Sequence, residues 1–292
     1  MTAIHIAACV DQNYLPHLAA LVGSIRDTRS EPTTVHVLAD RVSAEGMERI
    51  TAAASPVRVS WYDIDDHEAL SLAPLLQISR ATYLRLLIPE VLSPDIDRLI
   101  YLDIDVIVNA DLSALWNVDL AGSACGAVID PGVDAAAFSA KFDLASGGEY
   151  FNAGILLLDL AKVRTEGSFR RALDLLLADR DRFDLADQDA LNLVLWNQWR
   201  AIDPRWNFQR KFLYAGNSVS AAATDRLEPP FIVHYTESTK PWQTREWHPY
   251  AWLYLRQLKK TRFFGDVRRR ERLTPAHLLK MRCKYLLRRL RR

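Results

Sequence analysis

The segment LIYLDIDVIV (residues 99–108) constrains this chain most, because an apolar run of strand length is interrupted by two aspartates one residue apart. Such a run reads as a buried parallel strand, and a period of two puts Asp103 and Asp105 on the same side. Carboxylates that close repel each other, and burying them unpaired costs several kcal/mol or raises their pKa. A divalent cation at the strand end resolves both problems and leaves coordination positions open for phosphate. The competing reading is a strand that stops between the two residues and leaves both aspartates in a solvated loop.

Residues 4–10 (IHIAACV), 33–40 (TTVHVLAD) and 57–64 (VRVSWYDI) read as strands, with helices over LAALVGSIRDT and Ala44–Ala54 between them. This β-α-β-α-β order predicts an α/β fold with a Rossmann-like, mostly parallel sheet and flanking helices, whose ligands bind beyond the carboxyl ends of the strands. Asp11, Asp40 and the Asp103/Asp105 pair all fall on that edge. Farther along, residues 79–92 read as helical until Pro89, 150–160 (YFNAGILLLDL) as a buried strand, and 170–183 as an amphipathic helix. Residues 185–196 read as a further helix whose acidic first turn suits the helix dipole.

The stretch FIVHYTESTKPW (231–242) places His234 at the end of an apolar strand and Lys240 six residues later, beside a proline. An imidazole added to two carboxylates makes a mixed oxygen and nitrogen site that suits Mn2+ at least as well as Mg2+. With Lys240 converging on the same spot, the set describes a diphosphate site in which charge on a leaving phosphate is neutralised. Taken singly, His234 reads as a hydrogen-bonded core histidine and Lys240 as a solvated lysine.

With 292 residues and 49% hydrophobic content, the chain is long and apolar enough for one large α/β domain plus an appendage. No window approaches the roughly 18 uninterrupted apolar residues of a membrane span, and Asp11 falls where a signal peptide would continue apolar, so a cytoplasmic location is expected. Cys9, Cys125 and Cys283 lack ligand spacing and read as reduced thiols.

The net charge of +1 hides an asymmetry: Arg256–Arg292 carries 15 basic residues against Asp266 and Glu271, and the remainder carries 22 basic against 34 acidic. A boundary near Trp247 therefore separates an expected catalytic domain (1–247) from a small basic helical region (248–292). An acidic body argues against nucleic acid as a partner. After Pro275, Leu279, Cys283, Leu286, Leu287 and Leu290 form one helical stripe among arginines and lysines, which predicts peripheral attachment to the anionic inner face of the cell membrane through residues 275–292. A solvated helix, or one docked on the domain, is the alternative.

In this order, the IYLDIDVIV, YFNAG, DQD and KPW segments resemble glycosyltransferase family 8, the retaining nucleotide-sugar transferases of GT-A fold, over residues 4 to about 247. The resemblance implies a hexose transferase that uses UDP-galactose or UDP-glucose, with a lipopolysaccharide or other surface glycan or glycolipid as acceptor. Asp103, Asp105 and His234 match the Mn2+ ligands, with Ile104 between the aspartates in the donor-binding set. Asp11, Asn13 and Tyr14 match the loop that binds uracil and ribose, although Gln12 stands where the family pattern has a second aspartate. Arg85 matches an arginine near the donor sugar and diphosphate, and Lys240 the diphosphate lysine. Asp130, Asn152, Asp187 and Gln188 match groups that hydrogen-bond the donor sugar.

An amide is a poor nucleophile. Gln188 at the position where a retaining enzyme would carry one therefore favours front-face substitution, with Asp189 as the reserve candidate for a covalent route. A haloacid-dehalogenase-like phosphatase also uses D-x-D, but near the start of its domain, and a non-catalytic basic binding protein explains only the C-terminal region.

Overall fold

The computed structural model describes residues 3–64, 67–72, 80–213, 229–244 and 248–290. Among the described residues, ten strands in chain order are β1 (Ile4–Asp11), β2 (Thr33–Asp40), β3 (Arg58–Asp63), β4 (Arg98–Leu102), β5 (Val106–Val108), β6 (Cys125–Ile129), β7 (Phe151–Asp159), β8 (Trp199–Ala201), β9 (Phe208–Gln209) and β10 (Ile232–His234). Seven of them form one sheet in the order β3-β2-β1-β4-β7-β6-β8, and β5-β10-β9 form a second. In the large sheet β1 pairs parallel with β2 and β4, β2 parallel with β3, and β6 parallel with β8, while β7 runs antiparallel to both its neighbours. The strand order reverses between β1 and β4, so a crevice opens beyond their carboxyl ends. Asp11 and Asp103 lie on either side of it.

The period of two along β1 divides the interior into two layers. Ile4, Ile6, Ala8 and Val10 enter one apolar cluster with Ile100 and Leu102, whereas Ala7 and Cys9 enter another with Leu99 and Tyr101. Ala251, Leu253, Tyr254, Leu255, Leu258, Phe263, Val267, Leu273 and Met281 join the first cluster, so the basic C-terminal region shares a core with the N-terminal strands. Trp247, near which the sequence places a boundary, lies outside the described residues. The C-terminal region is helical over Ala251–Leu258, Phe264–Arg270 and Pro275–Leu290.

Two local expectations change. The 99–108 run is not one strand: β4 ends at Leu102, residues 103–105 turn a corner between the two sheets, and β5 joins the small sheet. Carrying both aspartates through the apolar interior would bury two charges, and the corner avoids that. It remains an ordered corner, since Asp103 N–H donates to Gly154 O at 2.8 Å and Tyr235 N–H to Asp105 O at 3.1 Å. In the 79–92 segment, of which Ser79 lies outside the described residues, Pro89 does not end the helix. It sits in the first turn of Ile88–Val91, after a 3-10 stretch over Arg80–Leu87, where its missing N–H costs nothing.

Candidate active site

The corner after β4 and the end of β10 face each other across the crevice. His234 Nε2 lies 3.7 Å from Asp103 Oδ2 and 3.3 Å from Asp105 Oδ1. One ligand atom from each residue falls within 4.8 Å of the others, and among the described residues this is the one such cluster of potential metal ligands. Behind the histidine runs a chain of amides whose orientation is fixed by a backbone donor. Gly154 N–H donates to Asn152 Oδ1 at 3.1 Å, and Asn207 Nδ2 donates to the same oxygen at 2.9 Å. Asn207 Oδ1 therefore faces His234 Nδ1 at 2.9 Å as an acceptor, so that ring nitrogen carries the proton. In the neutral ring, the Nε2 lone pair is then left pointing between two carboxylates. Such a donor set fits a divalent cation.

Backbone spacing agrees with that fit. A Cβ built on Gly154 would lie 2.1 Å from His234 Cε1 and 2.7 Å from Asp103 Oδ2, so only glycine lets β7 pass this close to the ligands. Asp103 Oδ1, the oxygen turned away from the histidine, accepts from Tyr101 OH at 2.7 Å and Arg85 Nη2 at 3.1 Å. Asp105 Oδ2 accepts from Lys240 Nζ at 2.8 Å, and Lys240 also donates to Tyr235 O at 2.7 Å. Burial alone would raise the Asp105 carboxyl, but Lys240 beside it holds the group well below the usual carboxylate range.

The Lys240 loop is anchored by rings. Trp242 stacks on His17 with centroids 3.7 Å apart, and His17 Nδ1 bonds Tyr254 OH, which ties the loop to the helix Leu15–Thr28 and to the C-terminal region. Burial pushes the His17 imidazole down to about 3, keeping it neutral.

Beside the carboxylate corner lies a second polar group of residues. Asp130 Oδ2 accepts from Asn152 Nδ2 at 3.1 Å and Gln188 Nε2 at 3.2 Å, and Gln188 Oε1 accepts from Ala153 N–H at 3.0 Å. Both groups line one cavity of about 280 Å³, whose walls also carry Tyr14, Ile104, Arg85, Asp187, Lys211 and Thr236. One end is charged for an anion-bound cation, and the other presents neutral amides and a carboxylate suited to sugar hydroxyls.

The family model for glycosyl transferase family 8 matches residues 5–246, most of the chain. The chain belongs to this family. It is 28% identical to a lipopolysaccharide 1,2-glucosyltransferase of Escherichia coli (strain K12), over 90% of this chain and 80% of that protein. It is likewise 28% identical to general stress protein A of Bacillus subtilis (strain 168), over 89% of this chain and 94% of that one. The crystal structure of the galactosyltransferase LgtC with donor and acceptor sugar analogues superposes with a TM-score of 0.79 at 25% identity, over 90% of this chain and 99% of that one. The mostly parallel sheet with flanking helices is thus the GT-A fold, and this family 8 protein is an enzyme that transfers sugars.

Of the residues singled out in the sequence, Tyr14, Arg85, Asp103, Ile104, Asp105, Asp130, Asn152, Asp187, Gln188, His234 and Lys240 meet on the cavity wall. Arg85 does so at 5% exposure, with Nη1 on Ala153 O at 2.6 Å and Nε 2.6 Å from Asp187 Oδ2, so it braces two aspartates as well as facing the cavity. Burial pushes the Asp187 carboxyl up to about 6 against the pull of Arg85.

Three residues are placed elsewhere. Asp11 accepts from Asn13 N–H at 2.8 Å and caps the turn that carries Tyr14, and neither Asp11 nor Asn13 is on the wall. Gln12, the departure from the family pattern, accepts from Ser43 N–H at 2.8 Å and ties this loop to the helix Ala44–Ala54. Asp189 is 3% exposed, with its carboxylate committed to Tyr150 OH and Leu185 N–H, and is likewise absent from the wall. Both carboxylate oxygens are thus engaged behind the cavity wall in this structure. Cys9, Thr82, Tyr101, Lys211 and Thr236 line the cavity without having been singled out.

Proposed function

We propose that this family 8 enzyme moves a hexose, galactose or glucose, from its UDP-sugar to a surface-glycan or glycolipid acceptor, with retention and with Mn2+ as its metal. The observation that carries this is the convergence of Asp103, Asp105 and His234, with Lys240 alongside, on one end of a cavity whose other end is the Asp130–Asn152–Gln188 group. A divalent cation bound by those three ligands would supply Lewis-acid neutralisation of the diphosphate as it leaves. Lys240 uses two N–H groups on Asp105 and Tyr235 O among the described residues, and its ammonium has a third to give a phosphate oxygen. Tyr14 offers its ring for stacking on uracil, and Asn152, Asp130 and Gln188 orient the hexose.

Family membership implies retention, and the site supports a front-face route in which the departing diphosphate takes the acceptor proton. Gln188 is held at both ends of its amide and cannot act as a covalent nucleophile, but its carbonyl dipole can stabilise positive charge at the anomeric centre. Gln188→Ala is therefore expected to lower turnover by about 10- to 100-fold, the loss of an electrostatic contribution rather than of a covalent step. Trapping a glycosyl adduct on Asp189 by intact-protein mass spectrometry would sink the front-face route. For the activity itself, purified protein with UDP-galactose or UDP-glucose and Mn2+ should release UDP slowly without acceptor. Hydrolysis of p-nitrophenyl phosphate with no turnover of either nucleotide sugar would favour the phosphatase instead.

The C-terminal helix Pro275–Leu290 is proposed to hold the enzyme on an anionic membrane surface, where a lipid-linked acceptor would be met. One face, with Leu278, Met281 and Tyr285, packs on the core. The predicted stripe lies on the other: Leu279, Leu286, Leu287 and Leu290 are 60%, 43%, 57% and 82% exposed. Leucines exposed in a row among arginines suit an interface that takes both apolar and cationic groups. Among the described residues, no helix is long and apolar enough to cross a membrane. Co-sedimentation with anionic vesicles at low salt is expected for the full chain and expected to be lost when the four leucines are replaced by glutamine, since the docked face is untouched. Equal sedimentation of both proteins would remove the attachment.

A further inference from the structure

We propose that a second cleft binds a small phosphate ester that also carries a hydroxyl, of the glycerol phosphate type. The cleft opens between the helices Leu15–Thr28 and Ala44–Ala54 and the turn that follows Ala251–Leu258. It shares no lining residue with the sugar-transfer cavity and stands apart from the function proposed above.

Gln257, 2% exposed, lies at its base. Its Nε2 donates to Asp27 Oδ2 at 3.1 Å, an oxygen that also accepts from Lys260 Nζ. Partial burial would raise the Asp27 carboxyl, but hydrogen bonds from Lys260, Gln257 and Arg26 hold it below the usual carboxylate range. An ionised carboxylate only accepts, so the amide keeps its Nε2 on Asp27 and turns Oε1 toward Gly23. That buried oxygen has no hydrogen-bond partner, and a donor brought by a ligand would relieve the cost of leaving it unpaired.

Gly23 keeps the space over it open. A Cβ there would stand 3.7 Å from Gln257 Oε1 and meet no other group within 4 Å beyond its own helix. Glycine in a helix interior is less stable than alanine, and here neither a clash nor a left-handed backbone asks for it. What the missing methyl preserves is the cleft.

Size and charge specify the ligand. A volume of about 30 Å³ holds roughly two water-sized groups, enough for a hydroxyl and the carbon that bears it. Val22, Ile50 and Phe263 give that carbon apolar walls. Around them stand Arg26, Arg49, Lys260 and Arg262, and no carboxylate is among the described residues of the lining. Asp27, behind it, serves both Arg26 and Lys260, while Arg49 lies over the Phe263 ring at 4.2 Å and donates to Arg262 O at 3.4 Å. The rim therefore stays positive, and its mixture of guanidinium and ammonium groups suits the several acceptor oxygens of a phosphate. A hydroxyl inside and a phosphate at the mouth describe either a free polyol phosphate or the headgroup of an anionic glycerophospholipid.

The test titrates the full-length protein calorimetrically, without divalent cation, with glycerol phosphate, inorganic phosphate and glycerol. Glycerol phosphate is expected to bind about tenfold or more tighter than either fragment. Gly23→Ala fills the space over Oε1 and should weaken that binding about tenfold or more, with a melting temperature equal to or above that of the wild type and unchanged sugar transfer. Co-sedimentation with phosphatidylglycerol vesicles separates the sources: a loss in Gly23→Ala assigns the cleft to a lipid headgroup, and equal sedimentation assigns it to a free ester. Glycerol phosphate bound no tighter than inorganic phosphate, no binding at all, or binding that survives Gly23→Ala would each overturn the proposal.

Discussion

Asp105→Asn is expected to reduce sugar transfer by about a thousandfold while the protein remains folded. The substitution keeps a carbonyl oxygen for Lys240, which sits 2.8 Å from Asp105 Oδ2, but removes the charge that a cation and the lysine both require. A bound metal contributes several kcal/mol of transition-state charge stabilisation, and about 4 kcal/mol corresponds to about a thousandfold in rate. The fold should survive at a lower melting temperature, because Lys240 holds the Asp105 carboxyl well below the usual range and the ionised carboxylate therefore contributes stability that asparagine forfeits. The checks are UDP release with a nucleotide sugar, Mn2+ affinity by calorimetry and the melting temperature. Near wild-type turnover by the variant in excess EDTA would remove the metal from the mechanism.

That corner also shows where sequence reasoning succeeds and stops. The aspartate pair was legible because charges inside an apolar run have few physical explanations, and the strand order that puts them at a switch point was legible from the β-α alternation. That the strand breaks at Leu102, so that residues 103–105 bridge two sheets, was not legible, because an apolar run has the same periodicity whether it stays in one sheet or changes sheets. Tyr101 shared its face with Asp103 by the period of two, so that signal was present and unused.

Asn207 gave no comparable signal. It takes its role from His234, a partner far along the chain. Only the folded backbone brings that pair together. Asp189 is the converse case: its motif was visible, but the Tyr150 hydroxyl and Leu185 N–H that hold it behind the wall were not.

Gly154→Ala should be nearly as damaging as loss of a ligand, although it removes no functional group. Gly154 lies in β7 in a backbone conformation that alanine also adopts, so the obstacle is space alone. The added methyl would meet His234 Cε1 at 2.1 Å and Asp103 Oδ2 at 2.7 Å. Neither neighbour yields easily: His234 is held by Asn207 at 2.9 Å, and Asp103 by Tyr101 at 2.7 Å and Arg85 at 3.1 Å. Relief therefore comes from displacing the candidate ligands from one another, which should weaken divalent-cation binding and lower transfer by about 100-fold or more, since misplacement by about 1 Å can cost that much. Overpacking should also destabilise the fold by about 1–3 kcal/mol. Gly265→Ala is the control, because its Cβ would find only Arg269 Nη1 at 3.9 Å and should be tolerated. Wild-type Mn2+ affinity and turnover in Gly154→Ala would mean that the corner is softer than its hydrogen bonds imply, and that β7 does not set the spacing of the ligands.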